Sequence, residues 1–165
     1  KIQKDEKAKR QILHYQLEKV IEVYKPKWIK IKPTNERLSF ASGKPEKWTI
    51  NLSKENFGQS KDTVLHELGH TIMHEYTFGS HLKKVSSKPS FEESAKYAVT
   101  TYRCSDTFGE APSEGWAESF HDYFTRPQYL KKHSPKLHTF WSDVIKENPE
   151  IRKMVKSLNK DENYY

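Results

Sequence analysis

The sequence predicts an α+β domain: a small, mostly antiparallel sheet, then a central helix, then a helical C-terminal part. Three observations carry this. Short runs between positions 27 and 52 alternate apolar and polar residues, the period-two pattern of half-buried strands. From position 62 onward, apolar residues recur instead at helical spacings of three and four. Turn formers punctuate the first half, whereas prolines and helix caps punctuate the second.

Lys4–Tyr24 reads as a helix with Leu13, Leu17, Val20, Ile21 and Tyr24 on one stripe, its first ten residues charged and frayed. Pro26 stops it. Three strands follow, at Lys27–Lys32 (Ile29 and Ile31 on one face), Arg37–Ala41 (Leu38 and Phe40) and Lys47–Leu52 (Trp48, Ile50 and Leu52). Pro33-Thr34-Asn35 and Ser42-Gly43-Lys44-Pro45 are the turns between them.

Asp62–Tyr76 is the central helix, capped by Ser60 or Asp62, with Val64, Leu65, Leu68, Ile72, Met73 and Tyr76 on its buried side. Gly69 in its interior costs about 1 kcal/mol against alanine, which predicts close approach of another backbone there. Thr77–Tyr97 is irregular except for a short helix at Phe91–Tyr97. Val99–Tyr102 reads as extended and Arg103–Pro112 as a loop.

A helix at Ser113–Thr125, with Ser113 as its cap, buries Trp116, Phe120, Tyr123 and Phe124, and Pro127 ends it. Ser134 caps a helix over Pro135–Lys146, and a last helix covers Pro149–Asn159. Neither repeats nor a domain boundary interrupts the chain, so residues 1–165 form one domain.

Apolar residues make up 34% of the 165 positions, enough for one core when eight Phe, nine Tyr and four Trp add bulk. The net charge of +7 favours acidic partners. Its lysines are scattered along helices, however, and no nucleic-acid module accompanies them, so the charge reads as solubility. The single cysteine, Cys104, excludes an internal disulfide and a cysteine-based zinc site. It fits a cytosolic protein and equally a secreted one that avoids cysteine, so localisation stays open. No apolar run approaches the ~20 residues that span a bilayer. The chain begins at Lys1 and is expected to be a trimmed or excised piece, so the lack of a signal peptide carries little weight.

Within the central helix stands His66-Glu67-Leu68-Gly69-His70. A helix places His66 and His70 one turn apart on one face, where two imidazoles can grip one metal ion, with Glu67 beside them to reach a metal-activated water. The pattern also arises by chance in amphipathic helices, so its context decides. A catalytic zinc needs a third protein ligand and one open position. A histidine six residues after His70 is excluded, because position 76 is Tyr76. His74 has drifted off the face by about 40° and reads as a supporting or exposed residue. His81, His133 and His138 have no partner spacing.

Glu114 and Glu118 form a second i, i+4 pair on the Ser113–Thr125 helix. One can bind the metal while the other accepts a hydrogen bond from a ligating imidazole. Alone, two glutamates on a helix face are ordinary; beside an H-E-x-x-H helix they complete a site.

Val64-Leu65-His66-Glu67-Leu68-Gly69-His70 followed by Glu114-Gly115-Trp116-Ala117-Glu118-Ser119-Phe120 resembles the zincin-like catalytic domain of anthrax lethal factor and its relatives, which include the Pro-Pro endopeptidases. The likeness covers roughly Thr63–Ile145, with Gly115 where that family carries an aromatic residue. The resemblance implies His66, His70 and Glu114 as ligands of Zn²⁺. It further implies Glu67 as general base and Glu118 as the carboxylate behind a ligating histidine. It also implies a tyrosine that stabilises the oxyanion, matched by Tyr102, although Tyr102 lies twelve residues before Glu114 and Phe108 is a competing match.

The expected activity is zinc-dependent endopeptidase chemistry, using a metal-activated water and no covalent intermediate. The expected substrate is a peptide bound in extended form along a sheet edge, with Trp48–Leu52 as that edge. A monomer is the default oligomeric expectation. The alternative is an inactive zincin-like interaction or structural domain, for example of a phage or toxin protein.

Overall fold

The structure, a computed structural model, describes residues 24–55, 61–101 and 110–158. The Lys4–Tyr24 helix (Tyr24 apart), the Ser60 cap, Tyr102, Cys104, Phe108 and residues 103–109 of the Arg103–Pro112 loop lie outside the described residues.

Three strands form the sheet: β1 (Ile29–Thr34), β2 (Phe40–Lys44) and β3 (Lys47–Ser53). Their order is β1-β3-β2. The sheet is mixed. β2 and β3 form the antiparallel hairpin, whereas β1 runs parallel to β3 with Ile31 beside Ile50. A short link carries the chain from the end of β1 past the end of β3 to the far edge. Its bonds are Ser53 N–H to Ser39 Oγ at 2.9 Å and Lys54 N–H to the Thr34 carbonyl at 3.1 Å.

The Trp48–Leu52 segment is therefore the middle strand and not the edge expected from the sequence. Its backbone is paired on both sides, and the open strand on the hairpin side is β2. Central placement also explains why Asn51 is buried: its Nδ2 donates to the Phe40 carbonyl at 3.2 Å and to Ser42 Oγ at 2.8 Å.

Six helices follow among the described residues: α1 (Lys61–Phe78), α2 (Phe91–Thr101), α3 (Ala111–Thr125), α4 (Pro127–His133), α5 (Pro135–Glu147) and α6 (Pro149–Leu158). α1 packs between the sheet and α3. Its buried Glu75 fastens the hairpin above it, accepting from the Glu46 N–H at 2.8 Å and Trp48 Nε1 at 3.0 Å. Glu46 is the turn residue with φ of 74°, so this bond stabilises a conformation that non-glycine residues rarely adopt.

Two glycines set the helix spacing. A Cβ on Gly69 would stand 2.9 Å from both the Cα and the carbonyl oxygen of Ala117, which is the close backbone approach anticipated from the sequence. This crossing point falls in the middle of both acidic and histidine pairs. Gly69 lies between His66 and His70, and Ala117 lies between Glu114 and Glu118. A Cβ on Gly115 would meet the Ser94 carbonyl at 1.9 Å, so α2 can approach α3 only where that side chain is absent. Gly69→Ala tests the first contact. Propensity alone would make it stabilising by about 1 kcal/mol, but the clash should reverse the sign to a loss of about 1–3 kcal/mol in denaturant unfolding. A stabilised variant would contradict the packing.

Elsewhere the boundaries shift for local reasons. The Val99–Tyr102 segment, expected to be extended, is helical through Thr101. Thr100 Oγ1 donates back to the Lys96 carbonyl at 2.7 Å, and buried Tyr97 and Ala98 hold the helix on α3. α3 begins at Ala111 with Glu110 before it, so Ser113 lies inside its first turn instead of capping it. Pro127 ends α3 as expected but also opens α4, whose Leu130 is fully buried. Ser134 caps α5 by accepting from the Leu137 N–H. Behind α3, Trp116, Phe120, Phe140 and Trp141 pack edge-on or tilted with centroids 5.0 to 6.4 Å apart. That layer gives α3 a firm backing. No helix among the described residues is long and apolar enough to cross a membrane.

Candidate metal centre

The Gly69–Ala117 crossing brings the two i, i+4 pairs face to face. His66 Nε2 lies 2.9 Å from Glu114 Oε2, and His70 Nε2 lies 3.2 Å from Glu114 Oε1. One donor atom from each of His66, His70 and Glu114 falls within 4.8 Å of the others. The two rings stand nearly perpendicular, with centroids 4.9 Å apart.

The outer ring nitrogens are also occupied. His66 Nδ1 is 3.1 Å from Glu118 Oε2, and His70 Nδ1 is 3.1 Å from Ser113 Oγ. This arrangement fits a bound metal. An imidazole that gives Nε2 to a metal carries its proton on Nδ1, and an acceptor stands at each Nδ1. Two imidazoles and one carboxylate, without thiolates, are a donor set suited to zinc. The two carboxyls, equivalent by spacing, are distinguished by position. Glu114 faces both Nε2 atoms, and Glu118 faces the back of His66.

The electrostatics are those of a tightly paired cluster. Burial alone would depress His66, but its hydrogen bonds to Glu114 and Glu118 outweigh that and raise it to about 9. Burial would raise Glu114, yet His66 and His70 hold it at about 2. Glu118 is likewise held at about 2 against its burial, by His121 and His66.

Glu67 is buried and takes no part in the three-atom convergence. Burial raises its pKa, opposed by His70 and His66, and a backbone hydrogen bond from Ala41 links it to β2. Glu67 therefore sits between the imidazole pair and the outer strand.

His74 stays out of the cluster, as its drift around the helix predicts. Its ring is 6.3 Å from that of His70 and packs edge-on against Trp48, and burial lowers its pKa. With His70 it lines a cavity of about 320 Å³ walled by Met73, Phe78, Phe91 and Trp116. His81 stacks on Trp28, whereas His133 and His138 pack tilted against Tyr129 and Tyr123, so none of the three joins the centre.

Glu118, His121 and Asp122 form a second group with convergent ligand atoms. It is already filled by the protein's own cations. Asp122 accepts from Arg126 Nε at 2.8 Å and from Nη2 at 3.3 Å, and also from the Tyr97 hydroxyl. His121 Nε2 turns away to Asp62 at 2.7 Å.

Two residues around the centre are not evident as such in the sequence. Ser113 reads there as a helix cap, and His121 does not stand out. Its position three residues after Glu118, on the same helical face, is the available signal. A scan against protein-family models, a comparison with curated proteins and a search of solved structures each find no match for the chain, so the site rests on its own geometry.

Proposed function

We propose that this domain is a zinc-dependent endopeptidase. The observation that carries the reading is the convergence of His66 Nε2, His70 Nε2 and the Glu114 carboxylate, with Glu67 alongside but uncommitted to the cluster. Those three residues would hold the ion. Zinc supplies Lewis acidity there, lowering the pKa of water from 15.7 toward ~7 and polarising a carbonyl.

The chain's own residues do the rest. Glu67 takes the proton of the attacking water on its carboxylate and returns it to the leaving amine. Glu118 and Ser113 hold the rings in orientation. β2 is the strand beside Glu67, and an extended peptide would pair along it as an added strand. Tyr102 is the proposed donor to the oxyanion. Tyr102→Phe should then slow turnover by about 10²–10³-fold with zinc content unchanged, and an unaltered rate would remove it from the site.

Within zinc peptidases, the order of motifs resembles lethal factor and the Pro-Pro endopeptidases. Gly115, the departure from that pattern, has a local cause in its contact with Ser94. An inactive zinc-stapled domain is the competing reading, and Glu67 speaks against it. A metal held only for structure has no use for a carboxyl there.

The discriminating experiment is metal analysis combined with cleavage of a peptide library followed by mass spectrometry. We expect about one zinc per chain and cleavage that a chelator abolishes and zinc restores. Zinc without cleavage of any peptide would favour the stapled domain, and failure to bind zinc would remove the peptidase and leave a metal-free interaction domain.

A further inference from the structure

Among the described residues, His121 is a partly buried cation-forming group that the proposed chemistry leaves unused. Its side chain is only 13% exposed, and both ring nitrogens face carboxylates. Nε2 is 2.7 Å from Asp62 Oδ1; Nδ1 is 3.0 Å from Asp122 Oδ1 and 3.5 Å from Glu118 Oε1. Ionised carboxylates only accept hydrogen bonds, so each ring nitrogen must carry a proton and the ring is an imidazolium.

The carboxylates around it differ in what else they meet. Asp122 already receives the Arg126 guanidinium and the Tyr97 hydroxyl. Glu118 meets His66 through one oxygen and His121 through the other. An unbroken line therefore runs from Asp62 in the first turn of α1, through His121 and Glu118 on α3, back to His66 on α1.

We propose that His121 is a positioning residue for the metal centre: held as a cation by Asp62 and Asp122, with Glu118 at ion-pair distance, it fixes the Glu118 carboxylate so that Oε2 orients His66 and directs His66 Nε2 at Glu114. This rests on the reading of the centre as a zinc site. Without a cation at position 121, the buried Glu118 carboxylate would face that of Asp122 across the vacated space, and like charges in a low-dielectric site repel strongly. Glu118 would then turn toward water and His66 would lose its acceptor. The high proton affinity of His121, raised to about 11, agrees: burial opposes the charge, and Asp122, Asp62 and Glu118 outweigh it.

The test is zinc affinity, measured by competition with a chromophoric chelator, together with the absorption spectrum of the cobalt-substituted protein. His121→Gln keeps polarity and reach but removes the cation. It should weaken zinc about tenfold, the lower end of what loss of an outer partner costs, and shift the cobalt bands. His121→Arg restores a cation facing the same carboxylates and should return affinity to within about threefold of the parent.

Coupling supplies the decisive reading. In a Glu118→Gln background, His121→Gln should add less than about twofold, because its effect passes through Glu118. Equal affinity in the Gln and parent proteins, equal loss in the Gln and Arg variants, or full loss persisting beside Glu118→Gln would each overturn the proposal. Should His121→Gln fail to fold, Asp62→Asn at the exposed end of the line takes its place and should weaken zinc in the same direction. An unchanged affinity there would overturn the idea equally. If the parent protein binds no zinc, the metal-site reading has failed. If it binds and the variants bind as well, only the role of His121 has failed.

Discussion

Glu67→Ala is expected to cut peptide hydrolysis by about 10²–10⁴-fold, the usual contribution of a positioned general base, while zinc content stays at the parent level. The split follows from where Glu67 stands. It shares a helical turn with both histidines, yet its carboxyl is absent from the three-atom convergence, so removing it subtracts no ligand. The side chain is buried between the imidazole pair and β2, held in part by Ala41. On the proposed reading, a carboxyl kept there outside the ligand set serves to move protons. Hydrolysis of the most responsive library peptide and zinc content, measured on one preparation, check both halves. Retained activity would remove Glu67 as the base, and lost zinc would make it a ligand.

Glu114→Ala should have the largest effect on the metal itself. Among the described residues Glu114 is the carboxylate that faces both imidazoles, so on the proposed reading its loss leaves two ligands on one helix and none from α3. On the same reading Glu118→Ala removes a partner and not a ligand, which should cost about 10–100-fold in zinc affinity. The Glu114 variant should lose more than that. Both carboxyls sit on the same face of α3, close to the same ring, so the comparison isolates role from location. The reverse ranking in a chelator competition would exchange the two assignments.

The parts of the site that can be read in the sequence are those set by helical period. The pairs His66/His70 and Glu114/Glu118 are each fixed by i, i+4 spacing, and the structure brings these two local facts together. Gly69 announces the crossing because glycine inside a strong helix needs a reason, and Ala117 supplies it. The caps at Ser134 and Pro135 are equally local.

What the sequence does not convey depends on distant partners. Alternation assigns faces to strands but says nothing about neighbours, so it does not reveal that β3 is the central strand or that β1 is the parallel member of the mostly antiparallel sheet expected. Ser113 reads as a cap because its partner, His70, lies 43 positions away. His121 pairs with Asp62 across 59 positions, and no local pattern encodes that contact. The helical state of Val99–Thr101 is a similar case. Its β-branched residues argue locally for a strand, and the burial of Tyr97 and Ala98 against α3 overrides them.

The most direct measurement is an anomalous difference map at the zinc edge from crystals of the zinc-loaded protein. The account predicts one strong peak within about 2.0–2.2 Å of His66 Nε2, His70 Nε2 and a Glu114 carboxylate oxygen. A peak seated instead among Glu118, His121 and Asp122, or a Glu114 side chain turned away from both imidazoles, would contradict it.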